Sequence, residues 1–345
     1  MALQSGSLGV LYVARQTAKG TAATETYSKF RANTADYAPQ QMFRNIGNLV
    51  GGSFLPAGSI KTAAFSAGAW VLPPPPDNYL GWLFHAFAGS VTSNTLSDSG
   101  NYYEHYFPSG ADDTAPDKYL TLRRTIPGTA NQYEQMEDVR PSRLLLTLTP
   151  GEYASLRFEG MGRTISAPDG AGWSAGANAA ESHTNVPISV SGGIEIPDGT
   201  SLGTATGVSV DIRNMPPDIR DVQVMGSYYP YDFPVLTRQI TVDFTHLWET
   251  KTLYQNMYWD GTAWDTSIYS TSCDLYVNST TYITGTTPYQ INVWMDGVDW
   301  NCDAVPLTGA ELIRVRFTGT AKDAASGYDW YLRLRNGTAS YTWPT

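Results

Sequence analysis

Ile60-Lys61-Thr62-Ala63-Ala64-Phe65 has a counterpart far downstream in Ile240-Thr241-Val242-Asp243-Phe244. Both stretches alternate in the manner of a strand with one buried face. Each is followed by a short aromatic-rich helix candidate, ending at Gly89 in one case and at Asp260-Gly261 in the other. A strand candidate comes next, Tyr119 to Arg123 and then Tyr289 to Trp294. Each series closes on a similar strand: Leu156-Arg157-Phe158-Glu159-Gly160, then Val315-Arg316-Phe317-Thr318-Gly319. Four elements therefore recur in one order. The spacing between copies shrinks along the chain, which fits one fold with loops of different length. Internal repetition on this scale implies two β-rich modules packed side by side.

The chain has 345 residues, enough for two domains of roughly 150 to 170 residues each. With 42% hydrophobic residues, including 22 Tyr, 11 Phe and 10 Trp, it can build real cores. Only 16% of residues are charged, fewer than an ordinary surface carries. Much of the surface is therefore expected to be buried against other subunits. The net charge of −10 and the lack of a basic run speak against a nucleic-acid-binding patch. Met1 to Val13 lacks the basic start and long apolar core of a secretory signal, and no run is apolar enough to span a bilayer. Two cysteines, Cys273 and Cys302, make no disulfide scaffold, which suits a reducing compartment.

The organisation follows from local signals. Residues 1–25 read as an N-terminal arm with a strand-like Leu11-Tyr12-Val13, and 26–165 as the first module. Residues 166–205, rich in Gly, Ala and Ser, form a junction before the second module at 206–325. A C-terminal strand and arm occupy 326–345. Pro73 to Pro76 is a stiff spacer ahead of a helix expected over Tyr79 to Ala88, and the second helix is expected over His246 to Trp259. Strands are expected at 117–124, 143–149, 155–160, 288–296 and 311–319. Residues 90–116 read as a long polar stretch that can form a hairpin leaving the domain, and 260–287 as a second long polar loop; both carry aromatics, Tyr102, Tyr103, Tyr106 and Phe107 in one, Trp264 and Tyr269 in the other.

Catalytic chemistry is not expected. His85, His105, His183 and His246 are far apart in sequence, and neither cysteine has a zinc-like spacing partner. No phosphate-binding glycine loop or nucleophile elbow occurs, and Gly160-Met161-Gly162 lacks the third glycine of a dinucleotide site. Glu134 with Glu137 and Asp138 is a pair that composition alone supplies; Glu134 and Asp138 could share one face of a helix. Such acids, with ten Trp, leave a carbohydrate-binding or glycan-degrading β-sandwich as the alternative. No enzyme activity, metal or cofactor is expected.

The ordered set of motifs resembles the major tail tube proteins of long-tailed, siphovirus-type bacteriophages, of the kind with two modules per chain. The likeness runs through Leu11-Tyr12-Val13-Ala14-Arg15-Gln16-Thr17-Ala18-Lys19-Gly20-Thr21, Phe65-Ser66-Ala67-Gly68-Ala69 and the helix from Tyr79 to Gly89. It continues through Tyr106-Phe107-Pro108-Ser109-Gly110, Tyr119-Leu120-Thr121-Leu122 and Leu156 to Gly162, and more weakly from Gly207 to Gly319. The tetraproline and the Gly-rich stretch 165–206 depart from the commonest pattern.

The resemblance implies a mainly β fold, two tandem tail-tube modules, each a β-sandwich or half-barrel with a short flanking helix. It implies three-chain, pseudo-hexameric rings stacked helically into a hollow tube that conducts genomic DNA into the host. The partners implied are further copies of the chain, the baseplate or tail tip, the tail terminator, and a tape measure protein in the lumen. DNA would pass without specific binding, no membrane would be engaged, and the virion tail would be assembled in the host cytoplasm. On that footing Thr147, Arg157, Glu159, Arg316 and Thr318 are expected on lumen-facing strands. Tyr102, Tyr103, Tyr106, Phe107, Trp264 and Tyr269 are expected at contacts between rings. The acidic balance leads to the expectation of a lumen that is net negative or at least not basic.

Overall fold

The computed structural model describes residues 9–30, 32–46, 58–76, 79–96, 102–108, 118–127, 132–166, 185–197, 199–248, 251–260, 263–306, 312–323 and 328–344. The first half of the chain builds β1 (Val10–Arg15), β2 (Ser28–Phe30), β3 (Thr34–Ala35), β4 (Ala38–Ile46), β5 (Gly58–Leu72) and α1 (Tyr79–Ala88). β6 (Thr92–Thr95), β7 (Tyr103–Pro108), β8 (Leu120–Ile126), β9 (Gln132–Leu148), β10 (Ser155–Gly162) and β11 (Thr164–Ser166) follow. The second half builds β12 (Gly192–Glu195), β13 (Ala205–Met215), β14 (Thr237–Leu247), α2 (Thr252–Tyr258), β15 (Trp259–Asp260) and β16 (Ala263–Trp264). It ends with β17 (Ser270–Thr284), β18 (Thr287–Cys302), β19 (Arg314–Ala321) and β20 (Trp330–Asn336). The fold is mainly β, and all its pairings are antiparallel.

The pairings follow one rule twice. In the first half β4 pairs with β5, β5 with β10, and β10 with β9. β9 then pairs with β8 and β11, and β8 with β1. In the second half β13 pairs with β14, β14 with β19, and β19 with β18. β18 then pairs with β17 and β20, and β17 with β12. A helix follows β5 in one half and β14 in the other. This pattern alters the correspondences read from sequence. Tyr119 to Arg123 runs into β8, whose counterpart is β17, whereas Tyr289 to Trp294 lies in β18. Phe158 opposes Trp70 and Phe317 opposes Phe244, so Trp70, not Phe65, occupies the position equivalent to Phe244.

Alternation explains the strands. Leu144, Leu146, Leu156, Phe158, Val210, Ile212, Val242, Phe244, Val315 and Phe317 are buried in one core that runs through both halves. β9 turns a corner. Asp138 has φ 54 and Pro141 lies at a register shift, a place where a strand tolerates proline. Before the corner β9 pairs with β8 and β11; beyond it, with β10. The Asp138 carboxylate holds the bend by accepting from Gly20 N (2.7 Å) and Arg163 Nη1 (3.1 Å), while its own N–H donates to Gln16 Oε1 (2.8 Å).

Several expected elements differ. The second helix spans only Thr252–Tyr258, because His246 and Leu247 extend β14 by pairing with Val315 and Arg314. Most of the polar loop 260–287 is the strand β17: its Thr, Tyr and Val residues are strand formers, although Ser and Thr suggested a loop. Within 90–116, the described residues form the β6–β7 hairpin. Residues 97–101 and 109–116 lie outside the described set, as do His183 and the junction segment 167–184. Glu134, Glu137 and Asp138 sit on β9, so no helix face joins them. Leu11-Tyr12-Val13 lies along its own chain: β1 is held between β2 and β8, and Val13 is fully buried. The C-terminal residues 337–344 also fold back onto the chain, with Tyr341 fully buried beside Gly81.

Candidate assembly and lumen surfaces

The two halves meet along a strand seam. Val208 to Arg213 of β13 pairs residue by residue with Leu148 to Arg143 of β9, so one sheet runs through both halves. Its apolar side is the core. Its other side carries the remaining members of the same alternation. Arg143, Arg157 and Glu159 come from β9 and β10, and Asp211 and Arg213 from β13. Asp243, Arg314, Arg316 and Thr318 come from β14 and β19. The five residues read from sequence as lumen-facing, Thr147, Arg157, Glu159, Arg316 and Thr318, share this polar face opposite the core.

The charges on this face are interlocked. Arg143 reaches across the seam and donates to both carboxylate oxygens of Asp211, Nε at 2.8 Å and Nη2 at 2.7 Å. Its Nη1 donates to Glu159 at 2.9 Å, which also accepts from Arg157 Nε at 2.8 Å. Arg213 binds the same Asp211 at 2.7 Å. Arg316 pairs with Asp243 at 2.7 Å and Lys322 with Asp299 at 3.0 Å. Burial works to raise the Asp211 carboxyl, but the hydrogen bonds and charges of Arg143 and Arg213 outweigh it and hold the carboxyl below its usual range. The same contacts raise the Arg143 guanidinium. Arg143, Arg157, Arg213, Arg314, Arg316 and Lys322 stand against Glu159, Asp211, Asp243, Asp299 and Asp303, so the face is nearly balanced in charge. The acidic surplus of the chain lies elsewhere.

A second polar cluster ties the segment between β13 and β14 to the first half. Asp232 accepts from the Tyr119 hydroxyl at 2.8 Å and pairs with Lys19 at 3.3 Å and Arg140 at 3.7 Å. The Tyr228 carbonyl accepts from Ala64 N at 2.8 Å, laying this segment along β5. It carries apolar surface that the sequence reading passed over: Val224, Met225, Tyr228, Tyr231 and Leu236 are exposed, as are Phe43 and Ile60 of β4 and β5. No periodicity announces this surface, but Tyr228-Tyr229-Pro230-Tyr231 is aromatic enough to have marked it.

The aromatics read as contact anchors separate. Phe107 is fully buried against Phe84 and Tyr341 of its own chain and offers nothing to a neighbour. Tyr103 and Tyr106 are half-buried on β7, which pairs with β20; Tyr106 packs edge-on against Tyr331 at 5.3 Å. Tyr102 is half-buried just before β7. Trp264 is exposed and Tyr269 half-buried.

His85 and His105 serve the fold. His105 Nδ1 lies 2.7 Å from the Ser93 hydroxyl, and its Nε2 donates to the Thr338 carbonyl at 2.9 Å. His85 Nδ1 donates to the Tyr341 carbonyl at 2.7 Å. Burial of the ring lowers the His85 pKa to about 4. Among the described residues no group of His, Cys, Asp and Glu is arranged to hold a metal, and no helix is long and apolar enough to cross a membrane. Cys273 and Cys302 are buried free thiols.

A continuous antiparallel sheet with an apolar core on one side and a lattice of ion pairs on the other defines a mainly β protein. The chain belongs to the phage tail tube protein family, whose model matches residues 6–321. No curated protein matches the chain. It is thus a structural subunit of a phage tail tube, and the family does not favour the carbohydrate-binding or glycan-degrading alternative.

Proposed function

We propose that the chain is a tandem duplicate whose three copies close into a pseudo-hexameric ring, and that rings stack helically into the tube of a long non-contractile tail. The observation that carries this reading is the seam between β9 and β13. By the twofold pairing rule, the counterpart of the β9 seam edge is Asn301 to Pro306, and the counterpart of the β13 seam edge is Ala35 to Gln40. These edges stand at opposite ends of the sheet. Joining Asn301 to Pro306 of one copy with Ala35 to Gln40 of the next repeats the internal seam and leaves no open edge. On this reading the second module begins at β12, because that strand pairs with β17.

The polar face then lines the lumen, with Thr147, Arg157, Glu159, Arg316 and Thr318 on it. The tube carries genomic DNA into the host through its lumen without specific binding, after a tape measure protein has occupied the lumen during assembly in the host cytoplasm. Its ends meet the baseplate or tail tip and the tail terminator. Contacts between rings fall to the exposed apolar surface of 216–236 and the β4–β5 hairpin, with Tyr102, Tyr103 and Tyr106 as further candidates. Negative-stain images of concentrated purified protein test the reading. Rings or filaments are expected; a monomer at all concentrations would overturn it.

A further inference from the structure

The helices α1 and α2 follow equivalent strands, yet only one is roofed. All residues of α1 but Trp82 are buried. One side rests on the sheet; the other is covered by β20 and the residues behind it. β20 pairs with β7 from Pro108 to Tyr103. The Tyr341 ring fills the space above Gly81, and Trp343 stands edge-on to His85 at 5.2 Å. The last strand and tail of the second half thus cover the helix of the first half.

α2 buries only Met257. Beside it Trp248, Tyr254, Tyr258, Trp259 and Trp264 form a continuous aromatic cluster. Tyr258 stacks on Trp264 at 5.6 Å, and Trp259 meets Trp264 edge-on at 5.8 Å. Trp264 is 65% exposed and Ile268 69% exposed. The small β15–β16 hairpin stands after α2 where β6–β7 stands after α1. β11 is the counterpart of β20, and among the described strands it pairs with β9 alone. A half-exposed helix with an aromatic rim and, among the described strands, a β11 edge with no strand partner are therefore both left over, and each is the missing half of the contact that α1 already has.

We propose that the α2 aromatic cluster is the seat for the β11 edge of a second copy of the chain. Each copy then covers α2 of its neighbour as it covers its own α1. The inference rests on the ring reading above and names the second face through which neighbouring copies meet. Tyr and Trp suit this role, since they bury large area at small entropic cost. Trp264, read from sequence as a contact between rings, becomes a contact between chains of one ring.

Paired cysteines test it: Trp264→Cys with Ser166→Cys in the full chain. The native thiols are buried and do not compete. Mild oxidation is expected to give covalent dimers and trimers from the double variant and none from either single variant. Separately, Trp259→Ser with Trp264→Ser is expected to raise the dissociation constant of the trimer about tenfold or more, with circular dichroism unchanged. If the wild-type chain forms no rings, the ring reading fails and this inference falls with it. If wild-type rings form while the cysteine pair gives no ladder and the serine variant assembles unchanged, the inference alone is overturned.

Discussion

At Gly81 the helix interior accepts a residue that weakens it, because the Tyr341 ring needs the space. A Cβ there would sit 2.2 Å from the ring. Helix propensity alone makes Gly81→Ala stabilising by about 1 kcal/mol. Overpacking reverses the sign, so the variant is expected to lose about 1–3 kcal/mol, read as a lower denaturation midpoint. The neighbouring His85 sets a pH dependence. Its folded pKa is about 4, below the ordinary value of 6.5, through burial first. The unfolded chain therefore binds more protons between these values, and stability rises with pH across that window. From pH 7 to pH 4.5 the loss is expected to be roughly 2–3 kcal/mol, with buried His105 acting in the same direction. Denaturation at the two pH values measures it. His85→Gln, which keeps a donor for the Tyr341 carbonyl, is expected to flatten the slope.

Among the elements, those with clean alternation were legible in the sequence. Leu156 to Gly160 and Val315 to Gly319 became β10 and β19, and Tyr79 to Ala88 became α1. The misread elements share a cause: their composition resembles loop while their partners make them strand. β17 is dense in Ser and Thr, yet it is paired on both sides, with β18 and β12. β7 stands out little within its polar stretch: its local partner β6 is only four residues long, and its other partner, β20, lies more than two hundred residues away. Of the candidate surfaces, the polar face was legible through its alternation. The interlocking of its charges was not, since Arg143 and Asp211 meet only across a seam that no local pattern announces.

The edge Asn301 to Pro306 yields a prediction at the same scale. Asp303 N–H donates inward to the Arg316 carbonyl, which turns the Ala304 N–H toward the open edge. Ala304→Pro removes that donor and leaves the bonds within the chain intact. One lost hydrogen bond of about 1 kcal/mol at each of three joints weakens ring closure by roughly a hundredfold. Sedimentation velocity is expected to show folded monomers where the parent chain shows rings. Unchanged rings would show that closure does not use this edge.

If three copies close into a ring as proposed, the whole molecule sets the width and the charge of the lumen. A barrel of about 24 strands, spaced about 4.8 Å and tilted about 40°, has a backbone diameter of roughly 45–50 Å. That leaves room for a DNA duplex inside a lining of side chains. The chain carries −10 overall, yet its polar face is nearly neutral. If the tube conducts DNA as proposed, passage depends less on repulsion than on the pairing of Arg143, Arg157, Arg213 and Arg316 with carboxylates. An arginine already bonded to a carboxylate has little left to offer a phosphate. A free arginine repeated in every ring would instead sum to a grip that releases counterions and rises steeply as salt falls. Asp243→Asn isolates this effect, since Arg316 and Asp243 are both partly exposed and the substitution frees one guanidinium per copy. Parent tubes are expected to retain duplex DNA weakly, with a shallow dependence on salt. Asp243→Asn tubes are expected to retain it more strongly, with a distinctly steeper slope of log affinity against log salt concentration. A steep slope already present in the parent would mean that the paired arginines still hold DNA, and that charge balance is not what lets it slide.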